Sequence, residues 1–187
     1  VCLTARAQPA RKVARVGVLS ATPLSSFTFL RQFPVALREL GYVEKQNILV
    51  EWRGADGNAE RLPELAAELV RAKPDVIVAV QNADGLAAKH ATSVIPIVMA
   101  AASDPVGVGL VSSLARPGGN VTGRTFTGPD TYGKQLQILK ETVPTVARVV
   151  FLRGANIPGM TGIIQGIQAG AKALGLAVFS SRPSDSV

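Results

Sequence analysis

Six polar side chains directly follow three apolar runs of the sequence, and they are the residues best suited to hold a ligand. These side chains are Ser20, Thr22, Gln81, Asn82, Ser103 and Asp104. Their hydroxyl and amide groups supply oriented hydrogen bonds without fixing a net charge, and Asp104 could accept hydrogen bonds from a ligand's ammonium group. This chemistry favours the binding of a small molecule.

Strands alternating with helices must position these side chains. Apolar runs predict strands at residues 13–19, 48–52, 76–80 and 97–100, with a fifth beginning at residue 121. Apolar periodicity predicts helices at residues 27–40, 61–71, 84–92 and 106–114. The alternation indicates a parallel sheet with helices on both faces. Such sheets bind ligands at the carboxyl ends of their strands, where the helix starts also favour a carboxylate.

Local signals set some of the expected helix boundaries. Pro34 is expected to kink or delay the first helix, because proline lacks the N–H that a helix interior uses. Gly41 is placed to end that helix. Asn58 is a candidate N-cap for the second helix, which carries Pro63 in its first turn.

A second β-α series follows the first. It consists of a helix at residues 132–142, a strand at 148–152, a helix at 162–174 and a strand at 177–180. The expected organisation is a tail at 1–12, an N-terminal α/β lobe at 13–124, a hinge crossing at 125–130 and a partial C-terminal α/β lobe at 131–187.

Five of the six polar residues also have a purely structural interpretation. Ser20, Thr22, Asn82 and Ser103 could serve only as helix caps or turn residues, and Asp104-Pro105 could only start the next helix, with Asp104 as its cap. Both interpretations stay open at this point. Convergence at three strand ends favours a binding site over a set of independent caps.

Residues for catalysis or for a cofactor are sparse. His90 and Cys2 are the only residues of their types, and no Gly-x-Ser-x-Gly sequence is present. Residues 128–134 approach a phosphate-binding loop, but Gln135 stands where Ser or Thr would hold magnesium. We therefore expect no enzyme activity, no cofactor and no metal site.

The charge pattern argues against a nucleic-acid partner. The net charge is +7, but the 20 Lys and Arg residues are spread along the chain without interleaved aromatic residues. No run of 18 apolar residues is present that could span a membrane.

Four stretches together carry a family resemblance. The most informative is DPVGVGLVSSLARPGGNVTG at residues 104–123, which follows the apolar run IPIVMA. Three others agree in order and spacing: RVGVLS at 15–20, LRELGYVEKQN at 37–47, and LPELAAELVR at 62–71 followed by PDVIV. Over residues 13–180 the chain resembles bacterial ABC-transporter substrate-binding proteins of the tryptophan/tyrosine-binding type.

The resemblance implies a fold and a function. It implies a type I periplasmic binding protein, with a three-layer, Rossmann-like N-terminal lobe of strand order 2-1-3-4-5. It implies capture of a solute between two lobes, with an aromatic or branched amino acid as the leading ligand. It also places ligand contacts at the three polar segments and in the loop of residues 153–156, where Asn156 is the nearest candidate.

The resemblance further implies a location and a partner. The partner would be an ABC permease in the inner membrane, and the protein would be periplasmic. Ala5-Arg-Ala7 has the form of a signal-peptidase site. A small-molecule-sensing domain or a small α/β enzyme on the same architecture is the alternative.

The second lobe has only about two β-α units, so the chain is expected to be C-terminally truncated relative to the family. We expect such a chain to bind ligand weakly and to self-associate through an exposed sheet edge.

Overall fold

Strands and helices alternate along the residues that the computed structural model describes, which are 13–23, 28–127, 129–153 and 160–181. The strands are Ala14–Ser20 (β1), Ile48–Gly54 (β2), Val76–Ala79 (β3), Ile97–Ser103 (β4), Val121–Thr127 (β5), Arg148–Leu152 (β6) and Ala177–Ser181 (β7). The α-helices are Thr28–Glu39 (α1), Leu62–Arg71 (α2), Asn82–Ala91 (α3), Pro129–Thr142 (α4) and Met160–Ala173 (α5). Within these ranges no helix is long and apolar enough to cross a membrane. The predicted tail at 1–12 and Asn156 lie outside the described residues.

The first sheet has five parallel strands in the order β2-β1-β3-β4-β5. The predicted order is confirmed, and β3 lies at the centre of the sheet as expected. Val18 pairs with Trp52 on one side and with Val78 on the other. This register brings the carboxyl ends of neighbouring strands to the same edge of the sheet.

Both faces of the five-stranded sheet are covered, which gives the predicted three-layer arrangement. On one face, Leu19, Ile77 and Ile97 pack in a cluster that includes Leu65 and Leu69 of α2. On the other, strand residues such as Val18 and Val50 pack with Phe33 and Leu37 of α1 and with Trp52. Phe33 and Trp52 meet edge to face, with ring centroids 5.9 Å apart. This sheet and its helices are called the first lobe below.

Helix α1 runs through Pro34, which neither ends the helix nor delays its start. The packing of its apolar face keeps the helix continuous although proline cannot donate one of the backbone hydrogen bonds. The helix ends as predicted at Gly41, which has a φ of 83°. The Gly41 N–H donates to the Arg38 carbonyl and the Tyr42 N–H to the Leu37 carbonyl, the pair of bonds of a Schellman motif.

The start of α2 differs slightly from the prediction. Asn58 caps a short 3₁₀ helix, Ala59–Arg61, by accepting a hydrogen bond from the Glu60 N–H at 3.1 Å. Helix α2 follows directly, with Pro63 in its first turn.

The helix predicted at residues 106–114 is wrong. Residues 104–111, called the 104–111 loop below, form a series of turns. The Val108 N–H donates to the Asp104 carbonyl, but Gly109 then takes a φ of 75°, which stops helical propagation. The apolar residues recur with a helical period, but the two glycines among them prevent a helix from forming.

The second sheet has two parallel strands, β6 and β7, packed against α4 and α5. We call this unit the second lobe. Strand β6 matches its predicted range. Leu136, Ile163 and Ile167 are buried at the centre of the unit. Strand β5 continues to Thr127, so residues 125–127 of the predicted hinge crossing form its last part.

Candidate functional site

The carboxyl ends of β1, β3 and β4 lie side by side and bring the six predicted polar residues to one edge of the first lobe. Leu19 pairs with Ala79, and Ala79 pairs with Met99. The residues that follow these strands are therefore neighbours. Ser20 and Asn82 are buried, whereas Thr22, Gln81, Ser103 and Asp104 are half-buried.

Ser20 uses its hydroxyl within its own turn. Its Oγ donates to the Thr22 carbonyl at 2.9 Å and lies 3.3 Å from Thr22 Oγ1. The Ser20 side chain is 0% exposed, so its hydroxyl shapes the turn from within. Thr22 is the more accessible hydroxyl of this pair.

Asn82 bridges the start of α3 and the end of β4. Its Nδ2 donates to the Ser103 carbonyl at 2.6 Å, and its Oδ1 accepts from the Ser103 N–H at 3.0 Å. The amide thus pairs with backbone groups as a neighbouring strand would. This geometry agrees with the structural interpretation of Asn82 and fixes the position of Ser103.

Asp84 is a buried carboxylate that the sequence analysis did not select. Its Oδ1 accepts from the Ala21 N–H at 2.7 Å and its Oδ2 from the Gln81 N–H at 2.8 Å, so it joins the loops after β1 and β3. Burial raises the pKa of Asp84 from 3.8 to about 6, against the opposing effect of hydrogen bonds from the backbone of Gln81, Ala21 and Val80. Its place in the first turn of α3 is the sequence signal that could have marked it.

Asp104 begins the 104–111 loop in an unusual backbone conformation. Its φ is 47°, a left-handed value that Asp and Asn adopt more readily than other non-glycine residues. Its Oδ1 accepts from the Gly107 N–H at 3.0 Å and closes a tight turn. The second carboxylate oxygen, Oδ2, lies against Gly107 of its own loop and against the second lobe, where a Cβ on Gly162 would lie 2.7 Å from it.

A cleft of about 450 Å³ opens between the two lobes beside this contact. From the first lobe it is lined by Asp104, by Gly107 and Val108 of the same loop, and by Leu86 of α3; from the second lobe it is lined by Thr161, Gly162 and Gln165 in the first turns of α5. Of the six predicted residues, only Asp104 lines this cleft. Ser20, Asn82 and Ser103 instead hold the strand-end loops through their hydrogen bonds.

The contribution of α5 was missed from the sequence, which predicted only a helix beginning near Gly162. Which helix start faces a cleft depends on how the lobes are arranged, and local sequence does not carry that information. The start of a helix presents N–H groups that favour a ligand carboxylate. Beside the Asp104 carboxylate, it provides complementary groups for a zwitterion. No group of three His, Cys, Asp or Glu that could hold a metal occurs in the described part of the chain.

Comparisons with known proteins agree with one another. The family described as ABC transporter substrate binding protein matches residues 30–181. A tyrosine-binding protein of Clostridioides difficile (strain R20291) is 36% identical over 118 residues, which are 63% of this chain and 33% of that protein.

Two solved structures match over most of the chain. A conserved domain protein from Vibrio cholerae has a TM-score of 0.82 at 26% identity, covering 91% of this chain and 57% of that one. A protein from Streptococcus pneumoniae, solved in complex with L-tryptophan, has a TM-score of 0.78 at 26% identity, covering 90% and 57%. The chain therefore spans a third of its curated relative and somewhat more than half of these structures.

Proposed function

Because the chain belongs to the family of ABC transporter substrate-binding proteins, we propose that it captures a small amphipathic solute between its two lobes and delivers it to an ABC permease in the inner membrane. An aromatic or branched amino acid is the proposed solute, and the periplasm is the proposed location. Family membership supports this role over a sensing domain or a small α/β enzyme.

The cleft lined by Asp104 and the start of α5 is the observation that carries the proposal. An amino acid has an ammonium group that Asp104 can bind and a carboxylate that the first turn of α5 can accept. Leu86 and Val108 supply apolar surface for its side chain. A relative named for tyrosine and a similar structure that holds L-tryptophan support the same ligand class.

The remaining predicted residues have supporting roles in this proposal. Thr22 and Gln81 are half-buried at the strand ends and could extend the hydrogen bonding of a ligand that fills the cleft. Ser20, Asn82 and Ser103 maintain the shape of the loops. Asn156 stays a prediction, since it lies outside the described residues.

Calorimetric titration with L-tryptophan, L-tyrosine and L-leucine tests the proposal, with ribose and AMP as comparison ligands. Asp104→Asn should weaken amino-acid binding about tenfold, because it removes the charge that pairs with the ammonium. It should leave binding of indole-3-propionate, which lacks the ammonium, nearly unchanged. Asn keeps an oxygen for the Gly107 N–H and tolerates the positive φ.

Asp56→Asn is a matched control, because Asp56 is exposed and has a similar φ of 52°. This substitution should change neither the affinity for amino acids nor the affinity for indole-3-propionate. Binding of ribose or AMP alone, or equal losses for L-tryptophan and its deaminated analogue in Asp104→Asn, would contradict the proposal.

A further inference from the structure

The 104–111 loop supplies much of the first lobe's wall of the cleft but has little regular structure of its own. Its internal hydrogen bonds are turn-like, such as the one from the Leu110 N–H to the Pro105 carbonyl at 2.9 Å. It contains two residues with positive φ, Asp104 and Gly109. These bonds shape the turns themselves, whereas contacts from outside the loop set where Asp104, Gly107 and Val108 stand relative to the cleft.

Helix α3 holds the end of this loop through a charged hydrogen bond donor. Lys89 Nζ donates to the Gly109 carbonyl at 2.6 Å and to the Leu110 carbonyl at 3.1 Å. Both carbonyls belong to the turn that closes the loop. Hydrogen bonds from a charged donor are stronger than neutral ones, so this pair restrains the turn more than a water contact would.

The same face of α3 also packs against Leu110. Leu110 is 2% exposed, and a Cβ on Gly85 would lie 3.0 Å from its Cδ2. Gly85 and Lys89 are four residues apart and so lie on one face of the helix. The absence of a side chain at Gly85 lets Leu110 approach the helix closely enough for Lys89 to reach the loop's carbonyls.

The beginning of the loop is held by α3 as well, since Asn82 binds both backbone groups of Ser103. Helix α3 therefore contacts the chain on both sides of the cleft-lining residues. Asn82 and Lys89 are seven residues apart, which is roughly 10 Å along a helix. A rigid helix of that length fixes the separation of the two ends of the loop.

We propose that Gly85 and Lys89 are positioning residues for ligand binding, which hold the 104–111 loop so that Asp104 and Val108 face the cleft; this rests on the proposed function. Neither residue lines the cleft. Both act through the loop, and their loss changes ligand affinity more than it changes the stability of the first lobe.

The test compares Lys89→Met, Lys89→Arg and Gly85→Ala with Lys172→Met, which removes the same charge from an exposed position on α5. Amide hydrogen exchange at Val108, Leu110 and Val111, whose N–H groups are bonded within the loop, reports loop opening without any ligand. Titration with L-tryptophan and L-tyrosine reports affinity, and thermal unfolding reports stability.

We expect Lys89→Met to speed exchange at these amides about tenfold and to weaken amino-acid binding by a similar factor, with little change in unfolding temperature. Lys89→Arg should keep most of the loop's protection from exchange and most of the amino-acid affinity, because a guanidinium can donate to two carbonyls. Gly85→Ala should lose more affinity than its change in stability explains, because its Cβ displaces Leu110 while the helix propensity of alanine offsets part of the cost in stability. Lys172→Met should behave as the unaltered chain.

Unchanged exchange rates in Lys89→Met, or faster exchange with unchanged affinity, would overturn the inference. So would a loss of affinity that only follows a loss of stability across the variants. If the unaltered chain binds no amino acid, the proposed function fails, and the exchange rates alone decide whether Lys89 holds the loop.

Discussion

Strands β3 and β6 have similar aliphatic sequences, VIVA and RVVFL, but different environments. In β3 the last three residues are buried, whereas β6 alternates between exposed and half-buried residues. β3 lies at the centre of five strands with helices on both faces. Among the described residues, β6 pairs with β7 only. The comparison teaches that an aliphatic run specifies a strand, while its neighbours decide whether the strand is buried.

The exposed side chains of the second lobe show the same difference. Leu152 is 70% exposed and Phe179 is 54% exposed, whereas Leu69 and Ile77 in the first lobe are 0% exposed. The second lobe is therefore held mainly by its helix pair and the side chains between helices and strands, and the first by a sheet covered on both faces.

The largest expected effect comes from removing a buried leucine of the first lobe. Leu69→Ala should lower the free energy of unfolding by about 4 kcal/mol, because it leaves a cavity beside Gly17 at a fully buried position. Leu152→Ala, an equal change on an exposed strand residue, should cost less than about 0.5 kcal/mol. Denaturant unfolding followed by circular dichroism measures both, and equal costs would break the comparison.

A second effect follows from the carboxylate that the first lobe buries. The folded-state pKa of Asp84, about 6, lies above its ordinary value of 3.8. Its protonation therefore contributes stability that is complete below pH 3.8 and is lost as the pH rises through 6. The free energy of unfolding of the unaltered chain minus that of Asp84→Asn should fall by up to about 3 kcal/mol from pH 4 to pH 7.

Denaturant unfolding of both proteins at several pH values measures this difference. Groups other than Asp84 titrate in both proteins, so their contributions cancel in the difference. Parallel stability curves would show that Asp84 keeps an ordinary pKa. The buried polar residues found in the described parts of the chain are Ser20, Asn82 and Asp84, all in the first lobe, so we expect no counterpart in the second.

The smallest of the three effects tests the helix pair of the second lobe. A Cβ on Gly170 of α5 would lie 2.7 Å from the Gly133 Cα of α4, whereas a Cβ on Gly133 would lie 3.8 Å from the Gly170 Cα. Gly170→Ala should therefore cost about 2 kcal/mol by forcing the helices apart. Gly133→Ala, its matched control, should be neutral or stabilising. The same unfolding measurements apply, and a neutral Gly170→Ala would mean that the helices can separate freely.

Much of the fold could be predicted because its signals are local. The strand order came with the family resemblance, and β6 was placed from its own apolar run between turn residues. The helix predicted at residues 106–114 failed because its periodicity is real but Gly109 adopts a left-handed conformation there. The prediction at Pro34 was wrong in the opposite sense: a break was expected, but tertiary packing keeps α1 continuous.

The candidate site was predictable only in part. Strand ends located Asp104, but hydrogen-bond partners such as Asn82 and Ser103 are 21 residues apart in sequence, and local patterns do not reveal that their polar groups satisfy each other. The burial of Asp84 depends on two loops meeting above it. The role of α5 depends on the placement of one lobe against the other, which no single segment encodes.

Trp52 is the only tryptophan of the chain, and its ring packs on Phe33 in the first lobe. Indole fluorescence therefore reports the environment of the first lobe alone. The second lobe contributes helical and strand signal but no indole, and its Tyr132 packs on Phe151 with ring centroids 6.2 Å apart. A melting step seen in circular dichroism and absent from indole emission consequently belongs to the second lobe, so the unmodified chain already carries an optical means of following its two lobes separately.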